Sequence, residues 1–476
     1  MSQSSDSETS LYRAPDSETA TSSSPRVPQE LCDKIMAFVS VEYDPDRDID
    51  SQDRYLTMRQ CALVCRAWLP SARSHIFRVV RLSQYGGADR LLGVLTLNAT
   101  LAQYMTCVIL ALDWATDDLD LIAGLVPKLT AVKELYLSAR NPGADGPLSW
   151  DSEYDFDLEE ASNLANVLTP VLRSPKLAVM HLNGFSFTSR DEFLQFVGCS
   201  SSLDILALRN IHLSPRLDWR SEADPGYAQR RSKIQISQLG IHSYDAVLAS
   251  WLLHPSFPIA VAPLTGLSIR LEDVGDMRDF LPLLNEVGSS LKELGISLPP
   301  RCEFKKHRHF SGIVDAIPTL PNTNIEHLII TGFDRRDPSI GVYTKHFDGA
   351  EFVQGLLLRL SAPQKLQRVT IDELVTIIWR RAGEFPNLQW HNWQAVDEVL
   401  TRDIFSNVRY LDFYAGLNKL ELDRDEVRSC ITPQFSAFRR RRGSLFTLTV
   451  HYTNFAWTQA FAARDEDSYS INSADV

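Results

Sequence analysis

Nine segments beyond Tyr104 carry one pattern, apolar at the first, fourth and sixth of six places, and this repetition restricts the fold more than any other feature. They begin at Val132, Leu177, Leu203, Leu264, Leu291, Ile325, Leu366, Val408 and Leu445. An aliphatic residue at every second place is what a strand with one buried face needs. The pattern is permissive, and on the order of ten chance matches are expected in a chain this long. Leu92–Leu97 matches it too, yet reads better as helix. Two observations favour a true repeat. Leu264 and Leu291 are 27 residues apart, and several segments follow a turn-forming residue such as Pro175, Ser202 or Asn324.

The pattern resembles the strand half of a leucine-rich repeat. That resemblance implies a solenoid of the α/β class with a concave sheet, irregular here because the other intervals run from 26 to 61 residues. The places between the aliphatic residues would face outward. They would put Tyr136, His181, Arg209, His242, Arg270 and Arg368 on one surface, the expected target-binding face.

Residues 27–80 hold the most specific constellation. Pro28 suits a first helical position, where its missing N–H has no helical partner to lose. Leu31, Ile35, Phe38 and Val39 then follow at helical spacing, as do Cys61, Val64, Cys65 and Trp68. Between the two stripes lies the acidic stretch Glu42–Arg54. It has carboxylates at alternate places from Asp44, but Ile49 and Tyr55 stand where a calcium loop needs Gly and Glu, so it reads as a solvated insertion.

The run from Val27 through Ile35, then Leu63-Val-Cys-Arg-Ala-Trp68 and His75-Ile-Phe77, resembles an F-box of the fungal type. It departs from that motif in having Val27 before the proline and a longer, more acidic loop. The resemblance implies docking on a Skp-family adaptor and through it on a cullin. Val27, Pro28, Leu31, Ile35, Cys65 and Trp68 would lie at the adaptor. The expected architecture is α/β, an N-terminal helical F-box followed by an irregular leucine-rich-repeat-like solenoid. Its divisions are a Ser/Thr-rich acidic tail over 1–24, an F-box-like domain over 25–82, the solenoid over 83–457 and an acidic tail over 458–476.

Charge and composition narrow the partners. The formal charge of −12 is concentrated, with −3 in residues 1–24, −4 in Glu42–Arg54 and −3 from Arg464 onward. The remainder is close to neutral, so neither nucleic acid nor a membrane is expected as partner. Pro255, Pro258 and Pro263 interrupt the one charge-free run long enough to suggest a membrane span. Seven scattered cysteines suit a reducing compartment, cytoplasmic or nuclear. Phosphate-loop, zincin and nucleophile-elbow signatures are missing. Cys302, His307 and His309 sit among Lys305, Lys306 and Arg308, which would repel a metal ion. No enzyme, cofactor or metal is expected. Arg439–Arg442 reads as a helix end closed by Gly443. The expected function is a substrate-recognition subunit of a cullin–RING ubiquitin ligase, the alternative a repeat scaffold without a ligase role.

Overall fold

The computed structural model describes residues 28, 30–35, 51–64, 68–83, 87–112, 118–139, 158–187, 193, 196–198, 200, 202–213, 233–242, 246–254, 257, 259–271, 277–298, 317–335, 349–375, 393–417, 424–441 and 443–452. Val27, Phe38, Val39, Cys65, the acidic stretch up to Asp50, both tails and the Cys302–His309 group lie outside them.

Twelve strands form one all-parallel sheet whose spatial order is the sequence order. They are β1 (Val79–Ser83), β2 (Cys107–Leu112), β3 (Glu134–Ala139), β4 (Val179–Asn183), β5 (Ile205–Arg209), β6 (Gln238–His242), β7 (Gly266–Arg270), β8 (Glu293–Ser297), β9 (His327–Arg335), β10 (Arg368–Val375), β11 (Tyr410–Leu417) and β12 (Leu445–Tyr452). This is a repeat-type α/β fold, since a parallel neighbour requires the chain to cross back between strands. Helices or 3-10 turns make most of those returns, among them Leu158–Leu172, Leu281–Val287, Gly349–Leu358 and Trp393–Leu400.

All nine predicted segments are strands of this sheet. Three further strands start from first-place residues Phe77, Met105 and Ile236. The last repeat differs by two residues from the expected frame. Leu445 pairs with Tyr410, a third-place residue, so Gly443 takes the first place. A shift of two leaves the same side chains facing inward. The sheet also begins at Val79, inside the segment assigned to the F-box-like domain.

Strands β2 to β11 are each entered through the same pair of hydrogen bonds, and β12 through the second of the two. Lys133 N and Glu134 N both donate to Thr106 O, Lys292 N and Glu293 N to Thr265 O, and Gln367 N and Arg368 N to Glu326 O. Side chains reinforce these corners: Ser202 Oγ donates to Leu177 O (3.0 Å) and Asn324 Nδ2 to Ser289 O (2.8 Å). The turn residues expected at Ser202 and Asn324 thus brace one repeat on the previous one.

Inward residues such as Leu135, Leu206, Leu267, Leu328 and Leu411 are at most 1% exposed and belong to one core running from Val80 to Val450. Aromatic rings also meet between repeats within it. Phe193 meets Trp251 edge-on at 4.5 Å, and Trp393 meets Phe413 at 5.1 Å. Leu92–Leu97 is helical, within Gly87–Leu97. The charge-free run from Ala246 divides into helix Ala246–Leu252 and two strands, and no helix among the described residues is long and apolar enough to cross a membrane.

Candidate functional site

The N-terminal helices bury little. Helix α1 (Ser51–Val64) packs on α2 (Leu69–Ile76) around Met58 and Ala72, with Cys61, Ala62, Trp68 and Ile76 partly buried against them. Upstream, Leu31 N and Cys32 N both donate to Pro28 O and open a helical turn over residues 30–35. Cys32 is buried there, Leu31 is 49% exposed and Ile35 is half-buried. Asp33 lies near enough to His75 of α2 to raise its pKa, although burial and Arg78 hold that imidazole below its usual range.

Two expectations change here. Helix α1 begins at Ser51, inside the stretch read as a solvated loop. Val64, placed on the inward stripe, is 63% exposed and its neighbour Leu63 is 86% exposed. Of the six adaptor residues expected, Pro28 and Leu31 are exposed and Ile35 and Trp68 partly so. Exposed Leu31, Leu56, Leu63 and Val64 exceed what two short helices can cover.

The second region is the outward face of the sheet, where three rows of side chains cross the strands. The middle row runs Arg81, Ile109, Tyr136, His181, Ala207, Gly240, Ser268, Gly295, Ile329, Thr370, Asp412, Thr447. The row nearer the strand C-termini includes Asn183, Arg209, His242, Arg270 and Ser297. The third row includes Glu293, His327, Arg368 and Tyr410. All six expected target-face residues therefore share this face.

They do not form one exposed patch, however. Tyr136 and His181 stack with ring centres 4.2 Å apart and planes 17° apart. Arg209, His242 and Arg270 occupy one row on three neighbouring strands, β5 to β7. His242 Nε2 shares a hydrogen bond of 3.2 Å with Ser268 Oγ. Burial pushes the His181 pKa down to about 4. Burial, then Arg209, Arg270 and His181, push that of His242 down to about 3. Both imidazoles are thus neutral and recessed rather than charged and exposed, because burial disfavours the charged form, and beside His242 the guanidiniums of Arg209 and Arg270 disfavour it further.

Arg368 stands apart, on β10. Its Nε donates to Asp412 Oδ2, and half of its side chain remains exposed beside Tyr410, itself 46% exposed. Burial first, with Asp412 and Asp372 adding, raises the Tyr414 pKa. One strand over, His327 joins Glu293 Oε2 through Nδ1 (3.2 Å) and Thr370 Oγ1 through Nε2 (2.9 Å). The sequence reading missed Glu293, His327, Tyr410 and Asp412. Their signal was available, since all occupy the intervening places of the six-residue pattern.

An acid, an imidazole and a hydroxyl in line is the arrangement of an activated nucleophile. Such chemistry also needs N–H donors aimed at a developing oxyanion. The N–H groups beside Thr370 belong to the parallel ladder between β9, β10 and β11. The chain Glu293–His327–Thr370 holds three side chains in place across β8, β9 and β10. Among the described residues no group of His, Cys, Asp and Glu could hold a metal ion. A small apolar cavity lies under β1 to β3, lined by residues such as Leu110, Leu125 and Leu168.

No model of a known protein family matches the chain. No curated protein matches it either. Among solved structures, a chain from the crystal structure of the Rad7 and Elc1 complex in yeast is similar at 13% identity and a TM-score of 0.31, over 91% of each chain. Likeness at that level carries no argument about what this chain binds.

Proposed function

We propose that this chain is a substrate-recognition subunit of an SCF-type cullin–RING ubiquitin ligase. In this reading residues 28–76 are an F-box that docks on a Skp-family adaptor, and the sheet is a leucine-rich-repeat solenoid whose outward face holds the protein target. The chain transfers nothing itself. It raises the concentration of its target near a ubiquitin-charged enzyme.

The observation that carries the reading is the division of apolar surface. The strands of the repeat sheet bury their leucines almost completely and the repeat helices expose Val94, Leu97 and Leu358, whereas the short N-terminal helical region exposes Leu31, Leu56, Leu63 and Val64. Apolar side chains left open beside a motif of F-box order suit a surface that a partner covers. Tyr410 and Arg368 supply residue types that dominate protein interfaces.

Co-purification tests the docking half. The wild-type chain should recover the adaptor, and Leu31→Asp with Ile35→Asp should reduce recovery at least tenfold. Undiminished recovery overturns it. If deletion of residues 25–76 leaves the lifetime of bound targets unchanged, the chain is instead a repeat scaffold without a ligase role.

A further inference from the structure

We propose that Arg209, His242 and Arg270 line a groove for an acidic peptide in polyproline-II conformation, with two carboxylates three residues apart. The inference rests on the reading of this face as the target surface, not on adaptor docking.

The cationic row comes first. Arg209 and Arg270 lie on β5 and β7 with β6 between them. Neighbouring strands are about 4.8 Å apart, so the two backbone positions are separated by about 9.6 Å. Residues i and i+3 of a polyproline-II segment point to one side, about 9.3 Å apart. An extended β-strand offers same-side residues only at about 7 or 13 Å. The spacing thus favours the polyproline-II peptide, running across the strands with one carboxylate on each guanidinium. Both arginines also engage other groups of this chain, so an arriving carboxylate exchanges partners rather than filling an empty place.

The neighbouring row gives the peptide room. Beside the cations it reads Ala207, Gly240, Ser268 and Gly295, four adjacent strands with nothing longer than a hydroxymethyl group. A Cβ on Gly295 would already approach Ser268 Oγ to 3.0 Å. The stacked Tyr136 and His181 close one end of this groove and Ile329 the other. His242, neutral and bonded to Ser268, sits between the arginines without adding charge of its own.

Fluorescence anisotropy on the full chain at low salt tests this with labelled proline-rich peptides bearing two glutamates at i,i+2, i,i+3 or i,i+5. The i,i+3 peptide should bind at least fivefold more tightly than the others, and its glutamine version should not bind. Arg209→Gln with Arg270→Gln should weaken it at least tenfold while adaptor recovery stays unchanged. Equal binding across the spacings overturns the inference on the wild-type chain alone, whatever the stability of the variant. Preference for a phosphoserine peptide over every glutamate peptide also overturns it. Should the spacing series fail while Arg368→Ala with Tyr410→Ala still abolishes target capture, the face remains the target surface and only the acidic peptide is lost. Failure of both removes the target surface as well.

Discussion

Single residues fix points that the repeat pattern leaves open. Gly332 has φ near 89° at the register shift between β9 and β10, and a Cβ there would lie 1.9 Å from Leu298 O. Gly332→Ala should lower stability by about 2–4 kcal/mol in urea unfolding, since both the backbone conformation and the contact forbid the methyl group. The recessed imidazoles set a pH dependence. His181 and His242 stay neutral in the fold down to about pH 4 and 3, whereas their unfolded counterparts take up protons near pH 6.5. Stability should therefore be constant above pH 7 and fall as pH drops through 6.5, by up to about 1.4 kcal/mol per pH unit for each imidazole. His181→Gln should roughly halve that slope between pH 6 and pH 5. None of this was legible in the sequence: the six-residue pattern sorts side chains between faces, but recess depends on neighbours one and two strands away.

At the scale of the element, the basic run near the C-terminus has a sharper role than its sequence indicated. It does end a helix, Ser436–Arg440, before Gly443 with φ near 81°. Arg441 then turns back: Nη1 donates to Leu400 O (2.9 Å), and Nη2 reaches Phe405 O, Ser406 O and Val408 O. The other end of the same helix is held by Asp397, whose carboxylate accepts from Ala437 N (2.9 Å) and Phe438 N (2.7 Å). One repeat is thus clamped to the previous one at both ends of a five-residue helix that could not persist alone. Arg441→Ala and Asp397→Ala should each cost about 1–3 kcal/mol, because each strands buried partners. Thermal unfolding of the double variant should show less than the sum of the two losses. The sequence indicated a helix end here from charge and glycine, but not which carbonyls the charge would meet, since those lie some 35 residues earlier.

For the whole molecule, the strands were readable and their limits less so. Alternation placed nine of twelve strands because burial imposes a period of two whatever the family. It passed over β1 and β2, whose first-place residues are Phe77 and Met105, and also β6, although Ile236, Leu239 and Ile241 carry the full pattern there. The apolar residues exposed on α1 escaped it for the opposite reason: helical spacing shows that a face exists, not what covers it. Since every repeat contacts mainly its neighbours, stability should accumulate from repeat to repeat. Truncation after Leu417 would uncover Phe405, Phe413 and Trp393, all fully buried. Such a chain should aggregate on expression, measured as loss of the monomer peak in size-exclusion chromatography.

The lead-in to strands β2 to β11 is bonded alike, whereas the exits differ in length: 3 residues separate Ser83 from the helix at Gly87, and 18 separate Ala139 from the helix at Leu158. Insertions can therefore accumulate along one margin of the sheet without retuning the ladder. That margin is the one beside Arg209, His242 and Arg270. A lineage of such chains could exchange its clientele by rewriting the exits alone, keeping the spine as a fixed chassis.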